Sequence, residues 1–200
     1  KGDGEVLQNL TQDEDVVTHE FSHHVIYRTL KRATGESLQL HEGIADFFSF
    51  AKTDDSCLGE SICPDGSNVC YVENSCLRTA DQKLDLDSPG FLDLSPHFQS
   101  QVISGVLWDL RDQIGLQEIT QIVFKSLDFL VEDSGFNHFI LAMLHADKEI
   151  FSGKYGCHIY DAFINRGFYS YMENIDCALV DIWDNAKAYG TSQIDLSTQE

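Results

Sequence analysis

The chain has 200 residues, 42% of them hydrophobic, a globular composition long enough for one sizeable domain. A formal net charge of −20, from 33 acidic against 13 basic side chains, would repel a phosphate backbone and argues against nucleic acid as a partner. No stretch approaches the ~20 apolar residues of a membrane span, and the polar, glycine-rich residues 1–5 carry no signal peptide, reading instead as a cut point in a longer precursor.

The first helical pattern covers 13–33, with Thr11 and Glu14 as a capping box and Thr34-Gly35 as its stop. A second runs over 37–52. The insertion 54–79 is rich in Gly, Ser, Asn and Asp and carries Cys57, Cys63, Cys70 and Cys76; it reads as irregular with short strands. Residues 91–94 read as a short strand. From 95 onward the chain is helical. Segment 97–113 places Val102, Ile103, Val106, Leu107 and Leu110 on one face and stops at Gly115. Segments 116–130 and 136–150 repeat the pattern, and a last helix over 157–165 ends at Arg166-Gly167. The expected fold is mainly α, a single lobe over 1–170 with the insertion at 54–79, followed by a polar tail, 171–200.

Six cysteines, four of them in a loop-rich stretch, predict disulfides and an oxidising compartment. A second zinc site is the rival, but the four are spaced more widely than the paired Cys-x-x-Cys of zinc ribbons. Cys157 and Cys177 then pair by elimination, while connectivity among the first four stays open. The acid excess is a solvated surface or a set of calcium sites, with candidate clusters at 13–15, 54–55 and 85–87. None has EF-hand spacing, so calcium is expected without an assigned site.

The chemistry centres on His19-Glu20-Phe21-Ser22-His23. Residues at i and i+4 share a helical face, so both imidazoles can reach one ion. Glu20 stands beside the first ligand, where a base can take the proton of an attacking water. Glu42, at the start of the next helix, can complete a His-His-Glu set and leave a fourth position open, as catalytic zinc requires. Asp46, four residues on, can accept the second ring proton of His19 and fix its tautomer. His24 points about 100° from His23 and is not expected to share the ion.

These segments resemble the thermolysin-like zinc metallopeptidases, and within them the fungalysin branch. Residues 16–23, Val-Val-Thr-His-Glu-Phe-Ser-His, are similar to that group's zinc helix; Glu36-Ser37 with 40–46, Leu-His-Glu-Gly-Ile-Ala-Asp, resembles its third-ligand segment. Pro96-His97-Phe98-Gln99-Ser100 resembles its His-x-Asn-Ser segment, which implies that His97 stabilises the oxyanion. Trp108-Asp109-Leu110-Arg111 and residues 162–167 resemble later helices of the same group. The resemblance further implies a zincin-like helical lobe, Asp93 as the partner of His97 at a displaced offset, and Arg78 as a binder of a substrate carbonyl. It has two departures: no tyrosine matches the family's oxyanion tyrosine near Ala33-Thr34, and the family's substrate-aligning N-terminal lobe would lie before Lys1. The gap from His23 to Glu42 equals that of the zinc aminopeptidases with the same ligand set.

The expectation is therefore a zinc-dependent endopeptidase of polypeptide substrates, secreted or periplasmic, working with an upstream lobe or propeptide. The alternatives are a catalytically silent zinc-bearing binding module and a zinc aminopeptidase.

Overall fold

The computed structural model describes residues 7–64, 69–71, 76–173, 175 and 177. It is mainly helical. Helices α1 (Glu14–Ile26) and α2 (Glu36–Thr53) come first, then strands β1 (Cys57–Leu58) and β2 (Arg78–Thr79). Helices α3 (Pro96–Gln99), α4 (Gln101–Ile114), α5 (Leu116–Ser126), α6 (Phe136–Phe151), α7 (Gly156–Ile164) and α8 (Tyr169–Met172) follow. The two strands pair antiparallel, Cys57 opposite Thr79 and Leu58 opposite Arg78.

Helix α2 is the hub, packing on α1, α3, α4, α5 and α6. Its apolar residues Leu40, Ile44, Ala45, Phe47 and Phe50 are fully buried, so the 18-residue helix that carries Glu42 is held on several sides. Gly43 lets α4 approach closely: a Cβ there would lie 2.6 Å from Ile103 Cβ and 2.7 Å from the Ser100 carbonyl. Helix α1 is tied to α2 where the Ser49 hydroxyl donates to the Asp15 carbonyl (2.9 Å). Behind the site, the buried Arg166 guanidinium donates to Asp109 (2.8 and 2.6 Å) and to the carbonyls of Gln82 and Leu84, fastening the loop before α3 to α4 and α7.

Three disulfides join Cys57 to Cys76, Cys63 to Cys70 and Cys157 to Cys177, which leaves no thiolates for a second zinc site and settles the pairing that sequence left open. The first ties β1 to the residues entering β2, so the insertion is stapled at its neck. No helix among the described residues is long and apolar enough to cross a membrane.

Several expected boundaries move. Helix α1 ends at Ile26, not near 33, because the chain turns at 27–29 to bury Leu30 completely. Its cap is Asp13, whose Oδ1 accepts from Val16 N (3.0 Å), while the Thr11 hydroxyl donates to Asn9. Residues 91–94 are not a strand: Phe91–Asp93 is a 3-10 turn that buries Phe91 and exposes Leu92. The helix expected over 97–113 breaks into α3 and α4 around Ser100, where the chain meets α2 at Gly43. Of the tail 171–200, only 171–173, 175 and 177 are among the described residues.

Candidate metal centre

One turn of α1 and the second turn of α2 supply three converging groups. His19 Nε2 lies 2.9 Å from His23 Nε2 and 3.5 Å from Glu42 Oε2, and His23 Nε2 lies 3.3 Å from Glu42 Oε1. Four-coordinate zinc with bonds of ~2.0–2.1 Å has ligand–ligand edges of roughly 3.3 Å, so the donor spacing fits that ion. Glu42 Oε2 is buried and makes no hydrogen bond, its nearest cationic groups being His19 Nε2 at 3.5 Å and Arg78 Nη2 at 3.7 Å. A buried carboxylate oxygen with only these longer ion pairs can take a closer cation.

The support behind this set fixes the ring chemistry. His19 Nδ1 lies 2.8 Å from Asp46 Oδ1, and a carboxylate only accepts, so Nδ1 carries the proton and Nε2 faces the other donors. Asp46 is fully buried and held by Arg78, whose Nε donates to Oδ2 (2.7 Å) and Nη2 to Oδ1 (2.8 Å). Burial works against a protonated His19, but the hydrogen bond and charge of Asp46, with Glu42, outweigh it and raise its pKa to about 9 without a metal. Burial would likewise raise the Glu42 carboxyl, yet the two imidazoles hold it well below the carboxylate range. Asp46 is also held low, burial being outweighed chiefly by Arg78. His41 is buried and donates from Nε2 to the Leu30 carbonyl (2.5 Å), and burial lowers its pKa; it braces the turn between α1 and α2.

His97, on α3, brings Nε2 to 3.5 Å from Glu42 Oε1 while its side chain stays 56% exposed. It borders the carboxylate from the solvent side but is not among the group whose donor atoms all lie close together. Glu20 is exposed on α1, next to His19 in the chain. Asp93 is exposed and makes no hydrogen bond or ion pair with His97 among the described residues; the 3-10 turn leaves it near Gly90. Arg78 is buried against Asp46, so its charge belongs first to the support of His19. None of His24, His41, His138, His145 and His158 joins the group.

A second cluster combines Asp13, Asp15 and Glu60. Sequence marked the first two as part of an acidic run; Glu60, far along the chain in a 3-10 turn, had no local signal. Asp13 also accepts from the Ser61 hydroxyl (2.6 Å) and Asp15 from Gly59 N (3.3 Å), so these carboxylates fasten the insertion to the start of α1. Partial burial, with the charges of Asp15 and Asp55, pushes the Glu60 carboxyl up to about 6.

A scan of the chain against models of known protein families finds no match.

Proposed function

We propose that this protein is a zinc-dependent peptidase whose metal is held by His19, His23 and Glu42. The observation that carries this reading is the convergence of the three donor groups, one Glu42 oxygen making no hydrogen bond, with Asp46 fixing the His19 tautomer. Zinc in such a set supplies Lewis acidity toward a water and a carbonyl oxygen. Glu20 acts as general base, taking the proton of the attacking water and passing it to the leaving amine. His97, on the open side of Glu42, donates from Nε2 to the oxyanion that develops on the scissile carbonyl. Arg78 Nη1 makes no hydrogen bond among the described residues and is the atom left for a substrate carbonyl, Nε and Nη2 being taken by Asp46. The resemblance to thermolysin-like enzymes supports the same assignment. A polypeptide substrate and a secreted or periplasmic setting go with it, the three disulfides favouring an oxidising compartment. Calcium suits the all-oxygen cluster of Asp13, Asp15 and Glu60.

The test is casein digestion with and without chelator, together with zinc analysis of the purified protein. Glu20→Gln is expected to retain one zinc per chain and lose roughly 10²–10⁴-fold in turnover. A metal-free, folded preparation that still cleaves casein would overturn the proposal. Zinc without cleavage by wild-type protein would leave a silent metal-binding module instead.

A further inference from the structure

His97 sits on a helix too short to hold itself. Helix α3 has four residues, one turn, and a single turn in isolation is unfavourable because its few hydrogen bonds do not repay the ordered backbone. Its placement over Glu42 must come from tertiary contacts. Three stand out among the described residues. One is the edge-on packing of Phe98 against Tyr71. Another is the close approach of Ser100 to Gly43, the residue after Glu42. The third is a pair of side-chain amides.

Gln39 lies three residues before Glu42 on α2, on the same face. Its Nε2 donates to Gln99 Oε1 (2.6 Å), and Gln99 Nε2 donates to the Phe91 carbonyl (3.1 Å). The orientation of both amides follows from the partners. The Phe91 carbonyl only accepts, so Gln99 must turn its nitrogen there and its oxygen to Gln39, and Gln39 must present nitrogen in turn. Gln99 is buried, and Gln39 Oε1 is buried with no hydrogen-bond partner. A methionine or leucine at 39 would spare the fold that orphaned acceptor but leave Oε1 of the buried Gln99 without its donor, so what the glutamine supplies is the tie to Gln99. Among the described residues the His97 side chain has a single polar contact, the one with Glu42.

We infer that Gln39, through Gln99, is a positioning residue that sets His97 over the open side of the Glu42 carboxylate. This rests on the role given to His97 above. Uncharged amides suit such a link because they neither titrate with the reacting groups nor compete for the metal. The Gln39–Gln99 bond links the helix of the third ligand to the helix of the oxyanion donor, so the two move as one body.

The test is a cycle of Gln39→Leu, His97→Ala and the double variant in the zinc-loaded full chain. Gln39→Leu is expected to lower the melting temperature modestly, Gln99 Oε1 having lost its donor, to keep its zinc content, to leave KM unchanged and to lower kcat roughly ten- to a hundred-fold, the loss a misplacement near ~1 Å produces. In the His97→Ala background the same change should have no further effect. An equal loss in both backgrounds, or none in either, overturns the inference. Gln39→Met repeats the cycle should the leucine variant fail to fold. Imidazole NMR of zinc-loaded protein separates this proposal from the peptidase reading. If wild type shows no zinc-dependent hydrolysis but Gln39→Leu shifts the His97 ring signals, the clamp stands and the peptidase reading falls. If the His97 signals do not respond, the clamp falls whatever the activity.

Discussion

At the scale of single residues, Asp46 serves two cations in one buried place, the His19 ring and the Arg78 guanidinium, and the two services can be separated. Asp46→Asn is expected to weaken zinc binding roughly 10–100-fold, the usual effect of losing such a ligand partner. It should also destabilise the fold, by up to ~3–5 kcal/mol, because Arg78 is left as a buried charge with only the more distant Glu42, 3.7 Å away, as counter-ion. Adding Arg78→Met should restore much of the stability and none of the affinity, read by denaturant melts and zinc titration. The metal-free protein has a pH signature as well. The His19 pKa is raised from 6.5 to about 9, so its contribution to stability is complete below 6.5 and lost as pH rises through about 9. Asp46→Asn should flatten that slope. The meeting of His19, His23, Glu42 and Asp46 was legible in the sequence because helical spacing prepares it: His19 to His23 and Glu42 to Asp46 are each one turn apart. Arg78 as the partner of Asp46, and Glu60 beside Asp13 and Asp15, were not, since nothing local in a chain records which distant residue a carboxylate will meet.

At the scale of elements, the joint between α2 and the α3–α4 corner decides where His97 stands. Gly43 is a weak helix former, and Ala in its place would favour an isolated helix by ~1 kcal/mol. Here the added Cβ would fall 2.6 Å from Ile103 Cβ and 2.7 Å from the Ser100 carbonyl, both parts of a packed neighbour rather than a flexible tip. Overpacking of that kind costs ~1–3 kcal/mol, so the packing term wins. Gly43→Ala is expected to lower the melting temperature and to reduce kcat by displacing α3, with zinc content retained; an unchanged melt would contradict the close approach. The same joint explains what periodicity could not supply. The apolar face over 97–113 is continuous in sequence, yet the chain bends at Ser100 to clear α2. Phe91, Leu92 and Leu94 read as a strand, but only Phe91 is in the core and the carbonyl of that residue is needed by Gln99. Helix α1 stops early for a similar reason, the turn at 27–29 being required to bury Leu30 and offer its carbonyl to His41. Helices whose stripe faces one continuous core, α2 and α6, match the expected 37–52 and 136–150 within a residue at each end.

At the scale of the whole molecule, charge sets the conditions under which the fold is stable. A net charge of −20 repels itself, and salt of any kind should raise stability by screening. Calcium should do more than screen. Glu60 has its pKa raised from 4.5 to about 6, so between these values the folded chain holds a proton that the unfolded chain releases. Its contribution is complete below 4.5 and lost as pH rises through about 6, where three carboxylates face one another unneutralised. A divalent ion taking the place of that proton reverses the loss, so the calcium benefit should be small at pH 5 and large at pH 7.5. The measurement is the melting temperature in millimolar calcium chloride against sodium chloride of equal ionic strength at both pH values. Wild type is expected to gain from calcium beyond the sodium control only at the higher pH. Glu60→Gln should melt higher than wild type without calcium at pH 7.5, having removed one charge from the cluster, and should lose the difference between the two salts. Equal melting in both salts would mean that Asp13 and Asp15 act only as cap and brace, fastening the insertion to α1 through Ser61 and Gly59.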